Sequence, residues 1–267
     1  MLHRRAIVAV IAGGLGERLG GSKPSVVLGR SPLICHPLAA AAQAGLEAIV
    51  VAKPSTVLPP LDVRVLREPE QPRHPLCGLI AALRFAAARP RPPAVVAVAC
   101  DMPFVTGPLL GWLAVLDGAA MAHVGGRAQP LLGRWPVGGL PLVAQALAEG
   151  RPLRSALAAL EPTIVAEDEL GRFGDPARLC FNVNDPADLR TARKWLAAGG
   201  DPAGQRGGGT LGGVRGHSRE LQQFPDLEHR GALHPRLLRE RGDPFVPGHG
   251  SQLSPPPAGG SAAADPG

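Results

Sequence analysis

The sequence predicts an α/β fold in which one three-layer domain with a mostly parallel central sheet fills residues 1–199 and a Gly/Pro-rich disordered tail fills residues 200–267. Three observations carry this expectation. Short apolar runs alternate with longer helix-compatible stretches, the pattern of parallel strands joined by crossover helices. Two of these runs, residues 6–11 and 94–99, are apolar at every position rather than alternating, as strands are when helices cover both faces. Beyond residue 199 the composition changes: the last 68 residues hold 15 Gly and 9 Pro and include the run Pro255-Pro256-Pro257-Ala258-Gly259-Gly260-Ser261. Such a segment cannot bury enough apolar surface to offset the entropy of ordering it. The domain before it is Rossmann-like in outline, and a chain with 45% apolar residues has ample material for its core.

Strands are expected at residues 6–12, 48–52, 63–66 and 95–100, with helices at 32–44 and 76–88 between them. Downstream, residues 106–116 read as a helix capped by Thr106, residues 128–135 as a strand, and residues 136–160 as one or two helices interrupted at Gly150-Arg151-Pro152. The last ordered element is a helix at 186–198, with Asp185 as its N-cap and Pro186 at the first helical position. No internal repeat is apparent.

The charge excess lies in the domain. The tail's 7 Arg balance its 7 acidic residues, so the net +6 comes from residues 1–199, with 21 basic against 15 acidic side chains. A basic domain suits phosphate-bearing partners, but 3% aromatics leave little stacking surface for single strands, so no nucleic-acid partner is expected. Cys35, Cys77, Cys100 and Cys180 are widely spaced with no C-x-x-C pair, which suggests neither a zinc site nor a disulfide framework. The basic start and apolar run at the N-terminus break into Gly13-Gly14 and charges rather than a cleavage site, and no run reaches the roughly 20 apolar residues of a membrane span. The expected compartment is the cytoplasm, with no membrane partner.

The strongest local feature follows the first strand: Ile11-Ala12-Gly13-Gly14-Leu15-Gly16-Glu17-Arg18-Leu19-Gly20-Gly21-Ser22-Lys23. Glycines let backbone N–H groups approach phosphate oxygens closely, and Arg18 and Lys23 add positive charge at the far end, which makes a polyphosphate cradle. Two familiar phosphate loops do not fit it. A Walker A loop ends in Gly-Lys-Ser/Thr, and a dinucleotide fingerprint needs a glycine where Leu19 stands. The second feature is Cys100-Asp101-Met102-Pro103 at the end of the fourth strand. Ligands of open α/β sheets bind at the carboxyl ends of strands, so Asp101 sits beside the first loop if the two strands are neighbours. There its carboxylate can hold Mg²⁺ against the phosphates; the plain alternative is a turn cap before Pro103.

These residues resemble the molybdenum cofactor guanylyltransferase family, of the MobA type. The resemblance rests on A-G-G-x-G-x-R-x-G-x-x-K, on Asp101 in its C-D-M-P context, and on Phe181-Asn182-Val183-Asn184-Asp185-Pro186-Ala187-Asp188-Leu189. It covers most of residues 5–198, taking in Lys23-Pro24, His74-Pro75-Leu76-Cys77-Gly78-Leu79 and Gln129-Pro130-Leu131-Leu132. It implies a Mg²⁺-dependent transfer of GMP from GTP to molybdenum-molybdopterin. Ile11, Ala12, Gly13, Gly14, Gly16 and Lys23 would bind nucleotide, Asp101 both nucleotide and metal, and Lys23, Arg18 and Asp101 would carry catalysis. Asn182 and Asn184 would lie on the pterin side. The chain departs from the family pattern at three places: Glu68, with Glu70 close enough to compete for the role, stands at a nucleotide-binding position where an Asp is usual; His74 replaces the first Gly of G-P-L-A-G; and Lys53 occupies a position often held by Asn.

Several alternatives stay open at this level. The same chemistry could use another base or acceptor, as in cytidylyl transfer to molybdopterin or guanylyl transfer to phospholactate or a cobinamide phosphate. A non-catalytic GTP-binding relative would keep the fold. A dinucleotide oxidoreductase is disfavoured by the missing glycine and by Lys53, where an acidic residue should close the second strand. The tail is either a tether for a molybdoenzyme or its chaperone, or has no selected role. His36 and His123 read as structural or surface histidines.

Overall fold

The computed structural model describes residues 6–14, 17–20, 22–91 and 93–199; Gly16 and the expected tail lie outside them. In chain order, β1 (Ala6–Ile11) leads through a 3-10 turn at Lys23–Ser25 to a small antiparallel hairpin of β2 (Val27–Leu28) and β3 (Ser31–Pro32), then to α1 (Cys35–Gln43). β4 (Ala48–Ala52), β5 (Arg64–Arg67), α2 (Pro75–Ala87), β6 (Ala94–Ala99) and α3 (Gly107–Val115) follow. The second half holds β7 (Ala120–Val124), β8 (Arg127–Trp135), α4 (Leu140–Ala148), α5 (Leu153–Ala158), β9 (Thr163–Val165), α6 (Glu167–Leu170), α7 (Pro176–Leu179) and α8 (Pro186–Gly199).

The main sheet has the order β5-β4-β1-β6-β8-β7-β9, and only β8 runs against the rest. This is the mostly parallel sheet expected from the unbroken apolar runs. All six residues of β1 and all six of β6 are buried, because each strand has a neighbour on both edges and helices on both faces. The strand period sorts the core into two layers. Val8 and Val10 point to the face covered by α1 and α3, with Val96, Val98, Leu109 and Leu113; Ile7 and Ala9 point to the face covered by α2 and α4, with Leu76, Leu79, Leu83 and Val143. A third, smaller cluster joins β2 and β3 to α8 through Leu28, Leu33, Phe104, Val183, Ala192 and Leu196.

Several expectations need correction. The helix expected over 32–44 begins only at Cys35, because Ser31 and Pro32 pair with Leu28 and Val27. Thr106 occupies the N-cap position of α3, but its buried hydroxyl has no partner among the described residues, and Gln43 Oε1 accepts from the Gly107 amide instead, at 3.3 Å. β7 and β9 were not foreseen: Ala120–Val124 lies two residues after Gly118 and carries His123 within its apolar run, and the three-residue β9 is too short for its pattern to register. Asp185 does cap α8, its Oδ1 accepting from the amides of Ala187 at 2.8 Å and Asp188 at 2.9 Å. The break at Gly150 divides α4 from α5 with the glycine at φ 66°.

β8 crosses from β6 to β7 over a register shift between Met121 and Ala122, opposite Gly133. A Cβ on Gly133 would lie 2.6 Å from the Ala120 carbonyl oxygen and 3.1 Å from the Trp135 ring, so only glycine lets β7 and β8 approach there. Gly133→Ala is expected to destabilise the domain by about 1–3 kcal/mol in chemical denaturation. Gly138→Ala, where a Cβ would meet nothing within 4 Å, should stay within about 0.5 kcal/mol of the parent.

Candidate active site

β1 and β6 pair in parallel from Ala6↔Ala94 to Ile11↔Ala99, and the Cys100 amide extends the ladder by donating to the Ile11 carbonyl at 3.1 Å. The chain leaving β1 as the glycine loop and the chain leaving β6 as Cys100-Asp101 therefore start side by side. They do so where the strand order reverses, with β4 and β5 on one side of β1 and β6 on the other. A crevice at the carboxyl ends of strands forms at such a point.

Lys23 comes back to this crevice from the far end of the loop. Its 3-10 turn is fixed by buried Pro24 and by Ser22 and Ser25, whose hydroxyls each donate to the Val57 carbonyl at 3.2 Å. The Lys23 ammonium forms an ion pair with Asp101 Oδ2 and donates to Asn184 Oδ1 at 2.9 Å. Both charged side chains of that pair are only 12% exposed, so their interaction is less screened than that of a surface pair. Asn184 arrives from the other end of the sequence. The Val183 amide donates to the Asp101 carbonyl at 2.9 Å, the Asn184 amide N–H donates to Asp188 Oδ2 at 2.8 Å, and Asn184 Nδ2 donates to the Asn182 carbonyl at 3.3 Å.

A second charged pair lies under the loop. Glu68, just past β5, and Lys53, just past β4, are both 3% exposed, with Nζ and Oε1 3.5 Å apart. Lys53 also donates to the Pro69 carbonyl at 2.7 Å, and its own carbonyl accepts from Arg67 Nη1 at 2.8 Å. Burial holds the Glu68 carboxyl above the usual carboxylate range, and the Lys53 charge only partly offsets this. Glu68 Oε2 is buried with no hydrogen-bond partner among the described residues. The carboxylate presses against two glycines: a Cβ on Gly13 would lie 1.8 Å from Glu68 Oε1, and one on Gly78 would lie 3.2 Å from Oε2 and 2.9 Å from Ile11.

The structure thus brings Lys23, Asp101 and Asn184 together and places Glu68 behind Gly13. Glu70 stands apart, its Oε1 accepting from the Ser55 amide at 2.7 Å. Ile11 and Ala12 are buried and their backbone is committed to the sheet, the Ala12 amide donating to Val51 O at 2.8 Å. Among the described residues, loop amides not committed to the sheet therefore begin at Gly13, which is half-buried, and Gly14, which is exposed. Arg18 is exposed and lies near the start of α8. There the Asp185 carboxyl is held below its usual range by the Asp188 amide above all, then by the Ala187 amide, Arg18 and Arg190. Asn182 turns its amide nitrogen inward to the Cys180 carbonyl at 3.1 Å. His74 fills the role of a cap: its backbone is extended, at φ −132°, and its Nδ1 accepts from the Leu76 amide at 3.2 Å, so no glycine is needed there.

Sequence reasoning missed Asp188, which fixes the Asn184 backbone, and Val57, which anchors the Lys23 turn through its carbonyl and leaves no side-chain signal. The cysteines are free, and burial pushes the thiols of Cys100 and Cys180 up, the latter to about 12, so neither offers a thiolate nucleophile at neutral pH. His36 is buried with Nε2 against the Leu28 carbonyl at 3.2 Å, a structural role as expected. No helix among the described residues is long and apolar enough to cross a membrane.

Comparison with known proteins gives this geometry a family. Residues 8–164 match the MobA-like NTP transferase domain. Proteins named molybdenum cofactor guanylyltransferase are similar over most of the domain. The one from Cereibacter sphaeroides is 37% identical over 198 residues, covering 70% of this chain and 95% of its own length. The one from Rhizobium johnstonii is 34% identical over 203 residues, covering 71% and 92%. Among solved structures, molybdopterin-guanine dinucleotide biosynthesis protein A from Archaeoglobus fulgidus shares the fold with a TM-score of 0.59 at 24% identity, over 72% of this chain and 98% of that one. With its loop, its Lys23–Asp101 pair and these relatives agreeing, the chain belongs to the molybdenum cofactor guanylyltransferase family within the MobA-like NTP transferases.

Proposed function

We propose that the chain transfers GMP from GTP to the phosphate of molybdenum-bound molybdopterin, forming the guanine dinucleotide cofactor and releasing pyrophosphate. The carrying observation is the meeting of Lys23, Asp101 and Asn184 beside the glycine loop at the carboxyl ends of β1 and β6. An acceptor phosphate oxygen attacks the α-phosphorus of GTP while the bond to the β-phosphate oxygen breaks, and that electron pair leaves with pyrophosphate. The attacking group is already an anion, so the site needs no strong general base. Catalysis is positional and electrostatic.

The loop amides from Gly13 onward hold the triphosphate, and Lys23, with Arg18 at the loop's outer end, offsets the charge that the departing pyrophosphate gains. Glu68, whose carboxylate lies against Gly13, serves the nucleotide side of the loop. Asn182 and Asn184 border the side from which the acceptor arrives. Among the described residues no group of three or more His, Cys, Asp and Glu could cage a metal. One carboxylate, Asp101, at the crevice fits Mg²⁺, which keeps several waters and binds through one or two carboxylates plus substrate phosphates. Bound there, Mg²⁺ would neutralise phosphate charge and orient the α-phosphate.

Incubation with radiolabelled GTP or CTP and molybdenum-molybdopterin is expected to release pyrophosphate with GTP. Release with CTP alone, or with neither, overturns the assignment. Lys23→Ala and Asp101→Asn should each lower turnover by about 100-fold or more while circular dichroism shows an intact fold. Unchanged transfer by either variant removes its residue from the machinery. Chelation with EDTA should stop pyrophosphate release and added magnesium should restore it; activity that persists through chelation counts against the metal.

A further inference from the structure

Among the described residues Lys23 has two partners at the crevice, and they differ in kind. Asp101 is a carboxylate, which a phosphate-bound cation competes for. Asn184 is a neutral amide, which holds the ammonium without cancelling its charge. We propose that Asn184 is a positioning residue for Lys23, keeping the ammonium aimed at the triphosphate when Asp101 is engaged elsewhere; this rests on reading the β1 loop as a triphosphate site.

Three features support it. A lysine stem is long and flexible, so an ammonium held by one partner alone wanders when that partner leaves. Asn184 is placed relative to Asp101 by a short path: the neighbouring Val183 amide donates to the Asp101 carbonyl at 2.9 Å, and the Val183 side chain is fully buried beside Leu28, Leu33 and Phe104. The amide is also oriented at both ends. Its oxygen accepts from Lys23 at 2.9 Å, its nitrogen donates to the Asn182 carbonyl at 3.3 Å, and its backbone N–H is held by Asp188 Oδ2 at 2.8 Å. With its oxygen on Lys23 and its nitrogen on the Asn182 carbonyl, the Asn184 side chain is held where the triphosphate loop meets the acceptor side.

The test is a double-mutant cycle on GTP affinity, measured by calorimetry with magnesium present, for the full chain and its Asn184→Ala, Lys23→Ala and doubly substituted variants. Loss of a hydrogen bond to a charged group should make Asn184→Ala bind GTP about 10-fold more weakly. In the Lys23→Ala background the same change should have an effect of less than about twofold, because the residue it serves is gone. Any rise in the KM for molybdenum-molybdopterin in Asn184→Ala should be smaller than its loss of GTP affinity. A residue with a merely structural role weakens binding equally in both backgrounds, and that result overturns the proposal. So does an unaltered GTP affinity with a raised acceptor KM. If Lys23→Ala binds GTP as well as the parent does, the triphosphate reading falls and this inference with it. If Lys23→Ala binds weakly while Asn184→Ala binds normally, this inference alone falls.

Discussion

The in-register pairing of β1 with β6 is the constraint on which the other features depend. These strands are far apart in sequence, yet their hydrogen bonds run from Ala6↔Ala94 to Ile11↔Ala99 and continue to Cys100. Because both strands are apolar at every position and buried on both faces, a slip of one residue would not expose polar groups, and side-chain alternation alone specifies register weakly. The size of the side chains supplies what polarity does not. Ile7 and Val95 face α2 and α4, while Val8, Val10, Val96 and Val98 face α1 and α3, so a slip would exchange the sets that fill the two layers. Fixing that register places the first glycines of the loop beside Asp101, and the crevice is a direct product of sheet packing.

The Lys53–Glu68 pair shows how the same sheet supports the loop from beneath. Lys53 and Glu68 prove to be partners, one just past the end of β4 and one just past the end of β5, which are themselves adjacent. A lysine buried there alone would be costly, and a buried carboxylate alone equally so; together, with the Pro69 carbonyl as a further acceptor, each reduces the cost of the other. The compensation is incomplete. Among the described residues one carboxylate oxygen has no hydrogen-bond partner, and the Glu68 carboxyl is held above its usual range. The carboxylate also demands glycine at position 13, where a Cβ would overlap Oε1, while at position 78 an Ile11 methyl at 2.9 Å and the carboxylate at 3.2 Å together leave no room for one.

Much of this was legible in the sequence, for identifiable reasons. Unbroken apolar runs announced β1 and β6, and a glycine cluster after a buried strand announced the loop, because both depend on local composition. Asp185 as the cap of α8 was equally local. Which of Glu68 and Glu70 is buried was not, since two carboxylates two positions apart look alike until the fold buries one and leaves the other to the Ser55 amide. Thr106 was misread for a related reason: a threonine before a helix is a good local cap, but the Gln43 side chain from α1 takes the first amide of α3, a contact between helices that no window of sequence contains. The partnership of Lys23 with Asn184 spans most of the domain and was out of reach in the same way.

What joins the end of the domain to its middle is a small group of aromatics in a chain with few. Of six Phe and three Trp, Phe104, Phe181 and Trp195 gather in one place. The Trp195 ring meets Phe181 edge-on at 4.8 Å and Phe104 at 5.6 Å, and the Arg178 guanidinium lies 4.7 Å from the Phe104 ring centre while donating to the Trp195 carbonyl at 3.0 Å. Such ring contacts are worth about 0.5–1.5 kcal/mol each beyond the area they bury. Their position matters more than their sum. Phe104 lies three residues after Asp101 and Phe181 three residues before Asn184, so the cluster fastens the two loops close to the residues that share Lys23. With the Val183–Asp101 backbone bond on one side and packed rings on the other, neither loop can shift without the other, and the spacing of carboxylate, amide and ammonium becomes a property of the core.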